Sequence, residues 1–167
     1  MKKVMSLLIS IALIMTIAPC AFAAGHATPD EVVAKVQEAA DFLSKAGDDG
    51  LKEFMDKDGR WVWKDTYVWV IHAAKGTNAA HPIKAKLVGM QLMNIKDPNG
   101  KYFFAEFCDM ANKSNGGWVD YMWPKVGEKK PSRKITYVLQ VPNSPYQVAA
   151  GIYDDTATSS DLDKLIQ

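Results

Sequence analysis

Towards the C-terminal end of the chain, three runs rich in aromatic and β-branched residues, 118–123, 134–141 and 146–153, follow one another with only short connections. Such residues suit a pleated surface, and strands joined this closely pair as antiparallel neighbours, because a parallel crossover needs a dozen or more residues. An antiparallel sheet has to bury an apolar face, so the rest of the chain must supply a covering layer. Two further runs upstream, Trp61-Val62-Trp63 with Tyr67-Val68-Trp69-Val70-Ile71-His72, predict two strands or one bent strand. Ala74-Lys75-Gly76-Thr77 reads as a turn, and 78–81 as a returning strand that Pro82 ends by removing a ladder donor.

The covering layer is legible as helix. Thr28 with Glu31 three residues on forms a capping box, Pro29 takes the first helical position, and Val32, Val33, Val36, Ala39, Ala40 and Leu43 follow at helical spacing towards a stop at Gly47. A short helical stretch at 51–55 and a helix over 101–112 with Phe103, Phe104, Phe107 and Cys108 on or near one face complete the set. Asp97-Pro98-Asn99-Gly100 between them reads as a turn. The tail 156–167, with Ser160 as its cap, is a short helix or a frayed end. Five strands and segregated helices place the fold in the α+β class.

Residues 1–23 read as an address. Lys2 and Lys3 precede an uncharged stretch from Val4 to Pro19, and Ala21-Phe22-Ala23 is a small-x-small cleavage site. A cleaved signal peptide, giving a periplasmic or secreted protein, is expected; an uncleaved membrane anchor is the alternative, and about 16 apolar residues are short for a span of roughly 20. Cleavage leaves 144 residues with eighteen basic against nineteen acidic side chains, and Cys108 as the one cysteine. An intrachain disulfide is then excluded, and a charge so near zero offers no footprint for nucleic acid.

Ala80-His81-Pro82, Leu87-Val88-Gly89, Lys96-Asp97-Pro98-Asn99-Gly100-Lys101, Gly117-Trp118-Val119-Asp120-Tyr121-Met122-Trp123-Pro124, Lys134-Ile135-Thr136-Tyr137-Val138 and Gly151-Ile152-Tyr153-Asp154-Asp155 follow in an order and spacing that resembles a single Cache domain of the second type, over 28–155. The resemblance implies an extracytoplasmic sensor module. It would have a PAS-like five-stranded antiparallel sheet, a long N-terminal helix on one face, and a small-molecule pocket on the other. Related domains recognise small organic acids, amino acids or similar metabolites, and most sit between two membrane helices of a chemoreceptor or sensor kinase. Only fourteen residues follow Tyr153, none forming an apolar span, so a free-standing domain acting with a membrane receptor, kinase or transporter is expected.

Strand parity sorts the candidate ligand-binding residues. Val119, Tyr121 and Trp123 share one face, while Trp118, Asp120 and Met122 share the other. Tyr121 and Trp123 are assigned to the pocket, because Asp120 would repel a carboxylate. Lys134, Thr136 and Val138 likewise oppose Ile135, Tyr137 and Leu139, so Lys134 and Tyr137 cannot both face a ligand. A buried carboxylate needs a charge-assisted donor, for which Lys134 or Lys84 serves, with Tyr and Trp donors beside it. Tyr67, Trp69 and His81, at a strand end, complete the set.

Other chemistries have little support. His26, His72 and His81 lack metal-ligand spacing, and Pro98 with no acidic ligands downstream argues against a calcium loop, so neither metal nor cofactor is expected. Cys108 reads as a small hydrophobe. An extracytoplasmic enzyme using His81 with Asp65 or Asp120, and a dimerisation module pairing N-terminal helices, are the alternatives to ligand sensing.

Overall fold

Helix α1 (Pro29–Ala46) begins where the capping box places it: Thr28 accepts from the Glu31 amide while Glu31 accepts from the Thr28 amide in return. In the computed structural model, which describes residues 25–167, the segment read as a signal peptide lies outside the described residues. Val32, Val33, Val36, Ala39, Ala40 and Leu43 all face inward, and each buried Val or Leu contributes about 1.5–3 kcal/mol. Gly47, at φ 55°, ends the α-helix, and the chain tightens into a 3-10 segment, Gly47–Met55, that brings Phe54 onto Trp61 with ring centres 4.8 Å apart. Trp61 therefore packs in the helix-side core ahead of the first strand, and does not lie on a strand.

The aromatic stretch expected to give two strands or one bent strand breaks into three: β1 (Val62–Trp63), β2 (Thr66–Tyr67) and β3 (Trp69–His72). Lys64 at φ 47° turns β1 back onto β2 as a small separate hairpin. The remaining strands are β4 (Thr77–Ala80), β5 (Gly117–Pro124), β6 (Pro131–Gln140) and β7 (Tyr146–Tyr153), and together with β3 they form one antiparallel sheet in the order β4-β3-β7-β6-β5. Helix α2 (Phe103–Ala111) and the long connection from Pro82 cover the second face. A last short helix, α3 (Ser159–Leu162), is capped by Thr158 and not by Ser160.

Alternation along the strands sends side chains to two separate cores. Val70, Trp118, Ile135, Tyr137, Val148, Ala150 and Ile152 pack with α1. Tyr67, Trp69, Ile71, Val119, Tyr121, Val138 and Ala149 pack with Phe103, Phe104 and Phe107 of α2. Asp97 ties the connection to the sheet edge: its carboxylate accepts from the amides of Asn99, Lys101 and Met122, each at 2.9 Å, which holds its pKa below the ordinary range despite the cost of burial. The turn read at 97–100 is thus a fastening between α2's approach and β5.

Gly151 stands at the centre of the sheet opposite Thr136, and its carbonyl accepts from Thr66 Oγ1 at 2.6 Å. A methyl group there would run into Thr136 Oγ1 and the Ile135 carbonyl. Gly151→Ala should destabilise the domain by about 1–3 kcal/mol through overpacking, read from the midpoint of urea unfolding.

Candidate functional site

Two strand-end regions and one helix enclose a pocket on the α2 face. β2 and β3 contribute Tyr67 and Trp69, β5 contributes Tyr121 and Trp123, and α2 contributes three phenylalanines; His81, Asn78 and Leu87 close the remaining sides. The space between these side chains is about 250 Å³ including the mouth, and it is too narrow in the observed rotamers for more than a single water. Aromatic contacts hold the lining in place, with Phe103 stacked on Tyr121 at 4.6 Å and His81 stacked on Trp69 at 6.2 Å.

Beneath this lining lies Lys134. Register places it between Tyr121 on β5 and Tyr153 on β7, on the pocket face, and it has no solvent exposure. Its Nζ finds no hydrogen-bond partner among the described residues and sits 4.4, 5.0 and 5.1 Å from the ring centres of Tyr67, Trp69 and Tyr153. Ring faces attract a cation, yet they replace neither a counter-charge nor water. Burial first, and the neighbouring Lys84 charge second, bring the Lys134 pKa down to about 7.

His81 is held in one role. Its Nδ1 accepts from the amides of Ile83 and Lys84 at 3.2 and 3.1 Å, so the ring proton resides on Nε2. Burial, aided by Lys134 and Lys84, drives its pKa down to about 3, and the ring is a neutral donor at ordinary pH. Lys84 lies over the Trp123 ring at 4.1 Å, at the half-exposed side of the pocket. Tyr121 is buried with its hydroxyl 3.3 Å from Thr136 Oγ1, and the Tyr67 phenol is pushed up to about 12 by burial, so both hydroxyls remain protonated donors.

Of the eight residues singled out from sequence, seven gather here: Tyr67, Trp69, His81, Lys84, Tyr121, Trp123 and Lys134. Tyr137 does not. It points to the α1 face, packs on Trp118 and donates to the Asn115 carbonyl at 2.8 Å, as strand alternation from Lys134 requires. No dyad forms between His81 and an aspartate: Asp65 accepts from His26 and the Ala27 amide, and Asp120 is held by Lys101 and Arg133. Cys108 is half-buried, and burial raises its pKa away from thiolate. Asn78, Leu87, the α2 phenylalanines and Tyr153 were not anticipated. Parity could have found Tyr153, directly across from Lys134, but Asn78 depends on a strand irregularity that sequence does not reveal.

A twisted antiparallel sheet with a long helix behind and an enclosed aromatic pocket in front is the architecture of an extracytoplasmic ligand-sensing domain of the PAS-like kind. The chain belongs to the family described as single Cache domain 2, whose model matches residues 6–165. It is similar to the methyl-accepting chemotaxis protein McpP of Pseudomonas putida, 32% identical over 91 residues, which is 54% of this chain and 16% of that protein. Among solved structures, a periplasmic sensor domain of a chemotaxis protein matches with TM-score 0.59 and 28% identity, covering 74% of this chain and 88% of that one. A Cache chemosensory domain studied for carboxylic acid recognition matches with TM-score 0.56 and 27% identity, covering 74% and 86%. Among the described residues no helix is long and apolar enough to cross a membrane.

An unpaired buried ammonium costs the unliganded fold stability, and the sign follows from proton counting. The unfolded Lys134 has the ordinary pKa of 10.5 and the folded one about 7. Between those values the unfolded chain binds more protons, so stability rises with pH across that window. Lys134→Met should therefore be more stable than the parent at pH 6, by about 1–4 kcal/mol, with the gap narrowing towards pH 9 in urea titrations without ligand.

Proposed function

We propose that the domain captures a short-chain carboxylate outside the cytoplasm and passes its presence to membrane signalling machinery. The observation that carries this reading is Lys134: a fully buried lysine with no hydrogen-bond or ion-pair partner among the described residues, walled by three aromatic rings. A carboxylate brought against it supplies the missing charge and accepts the hydrogen bonds that an ammonium must donate. The Tyr67, Tyr121 and His81 donors surround the same space, and no carboxylate lines it. An amino acid is disfavoured, because its ammonium would enter a pocket already flanked by Lys134 and Lys84. Recognition of a carboxylic acid by a structurally similar Cache domain is consistent with this choice.

The narrow lumen limits the ligand to a few heavy atoms and requires the rings above Lys134 to turn on binding. Leu87 and the connection from Pro82 to Ile95 form the outer wall, and Gly89 donates to the Asn78 carbonyl at 2.9 Å to hold that wall against the sheet edge. Reordering of this wall changes the surface presented to a signalling partner. The exposed face of α1 carries Asp30, Gln37, Glu38, Asp41 and Lys45, so pairing of two such helices would rest on polar contacts.

Carboxylate binding restores the Lys134 pKa towards its ordinary value, so the complex holds more protons than the free domain. Affinity should be level below about pH 7 and fall by up to about tenfold per pH unit above it. Of the other groups facing Lys134, His81 titrates near pH 3, the tyrosines Tyr67, Tyr121 and Tyr153 above neutrality and Asp65 below it, while Lys84, its pKa lowered by burial, adds to the fall in the same direction at the alkaline end. Calorimetric titration with acetate and propionate at pH 6 to 9, in buffers of different ionisation heat, should show proton uptake near pH 8 that Lys134→Met abolishes with binding. Equal binding by Lys134→Met, or no binding by any short acid, would defeat the reading.

A further inference from the structure

Asn78 is almost fully buried, lines the pocket, and its Oδ1 has no hydrogen-bond partner among the described residues. A buried amide acceptor left unmet loses its hydrogen bond to water and gains none in return, so its retention on an apolar wall calls for a partner. The local backbone has departed from regular pairing in order to aim it there. Val70 pairs with Ala80 and the next residue, Ile71, pairs with Asn78, so one extra residue, Ala79, bulges from β4. On a regular strand residues 78 and 80 share a face. Here Ala80 packs on the α1 side with Val70, whereas Asn78 turns with Ile71 towards the pocket. A bulge that re-aims one side chain into a binding cavity is a feature expected at functional sites.

We propose that Asn78 is the specificity-determining residue of the pocket, hydrogen-bonding a hydroxyl or keto oxygen on the bound acid and so selecting oxygen-substituted short acids over plain alkyl ones. The inference rests on the carboxylate reading: Lys134 takes the charge and Asn78 reads the substituent. An amide suits this task because it offers both an acceptor and a donor, meeting a hydroxyl through Oδ1 and a keto oxygen through its NH2. The acceptor would equally meet an amine, but Lys134 and Lys84 put positive charge beside the same space, which excludes a cationic substituent. Asn78 is also placed to keep its geometry, since its carbonyl is fixed by the Gly89 amide and its strand by pairing with β3.

Four acids that differ only at the second carbon separate the possibilities: propionate, lactate, pyruvate and alanine, titrated calorimetrically into the protein at pH 6.5. Lactate or pyruvate should bind about tenfold tighter than propionate, the yield of one hydrogen bond that rescues a buried orphan, and alanine should bind least. In Asn78→Leu and Asn78→Ala the ratio of lactate or pyruvate affinity to propionate affinity should shrink to within about twofold, with cooperative thermal unfolding showing that each variant is folded. Equal binding of the three acids by the parent overturns the role of Asn78 and leaves the carboxylate reading standing. A preference that survives in a propionate-binding variant overturns it too, as does tighter binding of alanine than of lactate. Failure of the parent to bind any of the three acids removes the carboxylate reading itself, and the role of Asn78 with it.

Discussion

A buried lysine with no ion-pair partner among the described residues is the constraint around which the pocket side of this domain is organised. Lys134 cannot reach water, so the fold surrounds it with Tyr67, Trp69 and Tyr153 rings and lets its pKa fall to about 7 instead of neutralising it with an aspartate. Nearby carboxylates are kept occupied elsewhere. Asp120 is committed to Lys101 and Arg133 at the sheet edge, and Asp65 to His26 and the chain before α1. His81 is likewise pinned as a neutral ring by two backbone amides. The result is a cavity with surplus donors and no internal anion, which is the electrostatic complement of a small acid.

Most of the layer architecture was legible in the sequence because it depends on local signals that tertiary contacts reinforce. The capping box, the 3.6-residue apolar spacing of α1 and the period-two alternation of β5, β6 and β7 each act within a few residues. Parity alone put Tyr121, Trp123 and Lys134 on one face and Trp118 and Tyr137 on the other once a single member had been located. What failed were the places where the backbone leaves its period. Lys64 at positive φ folds Val62–Trp63 back onto Thr66–Tyr67, the run expected as a strand from Tyr67 is broken at Val68, Trp61 falls into the helix-side core, and the bulge at Ala79 turns Asn78 away from Ala80's side. Such departures are stabilised by contacts distant in sequence, and no local propensity announces them.

Belonging to the single Cache domain 2 family specifies a module and not a ligand. The match to the chemotaxis protein McpP covers only 16% of that receptor, so it speaks for a sensing domain and not for a whole receptor's output. The distinction between ligands must come from the lining. The lining and the lysine beneath it offer three chemically different groups on four strands: an ammonium on β6, phenols on β2 and β5, and an amide on β4.

The sheet between the two cores is one backbone thick, and on β6 Lys134 and Ile135 stand back to back. Ile135 and Tyr137 press on α1 from one side while Lys134 and Thr136 face the cavity from the other. A displacement of β6 from the cavity side has no soft layer in which to dissipate, since close-packed interiors transmit displacement with little compression. The strand is therefore a stiff partition, and whatever shifts it on the cavity side bears directly on the long N-terminal helix behind it.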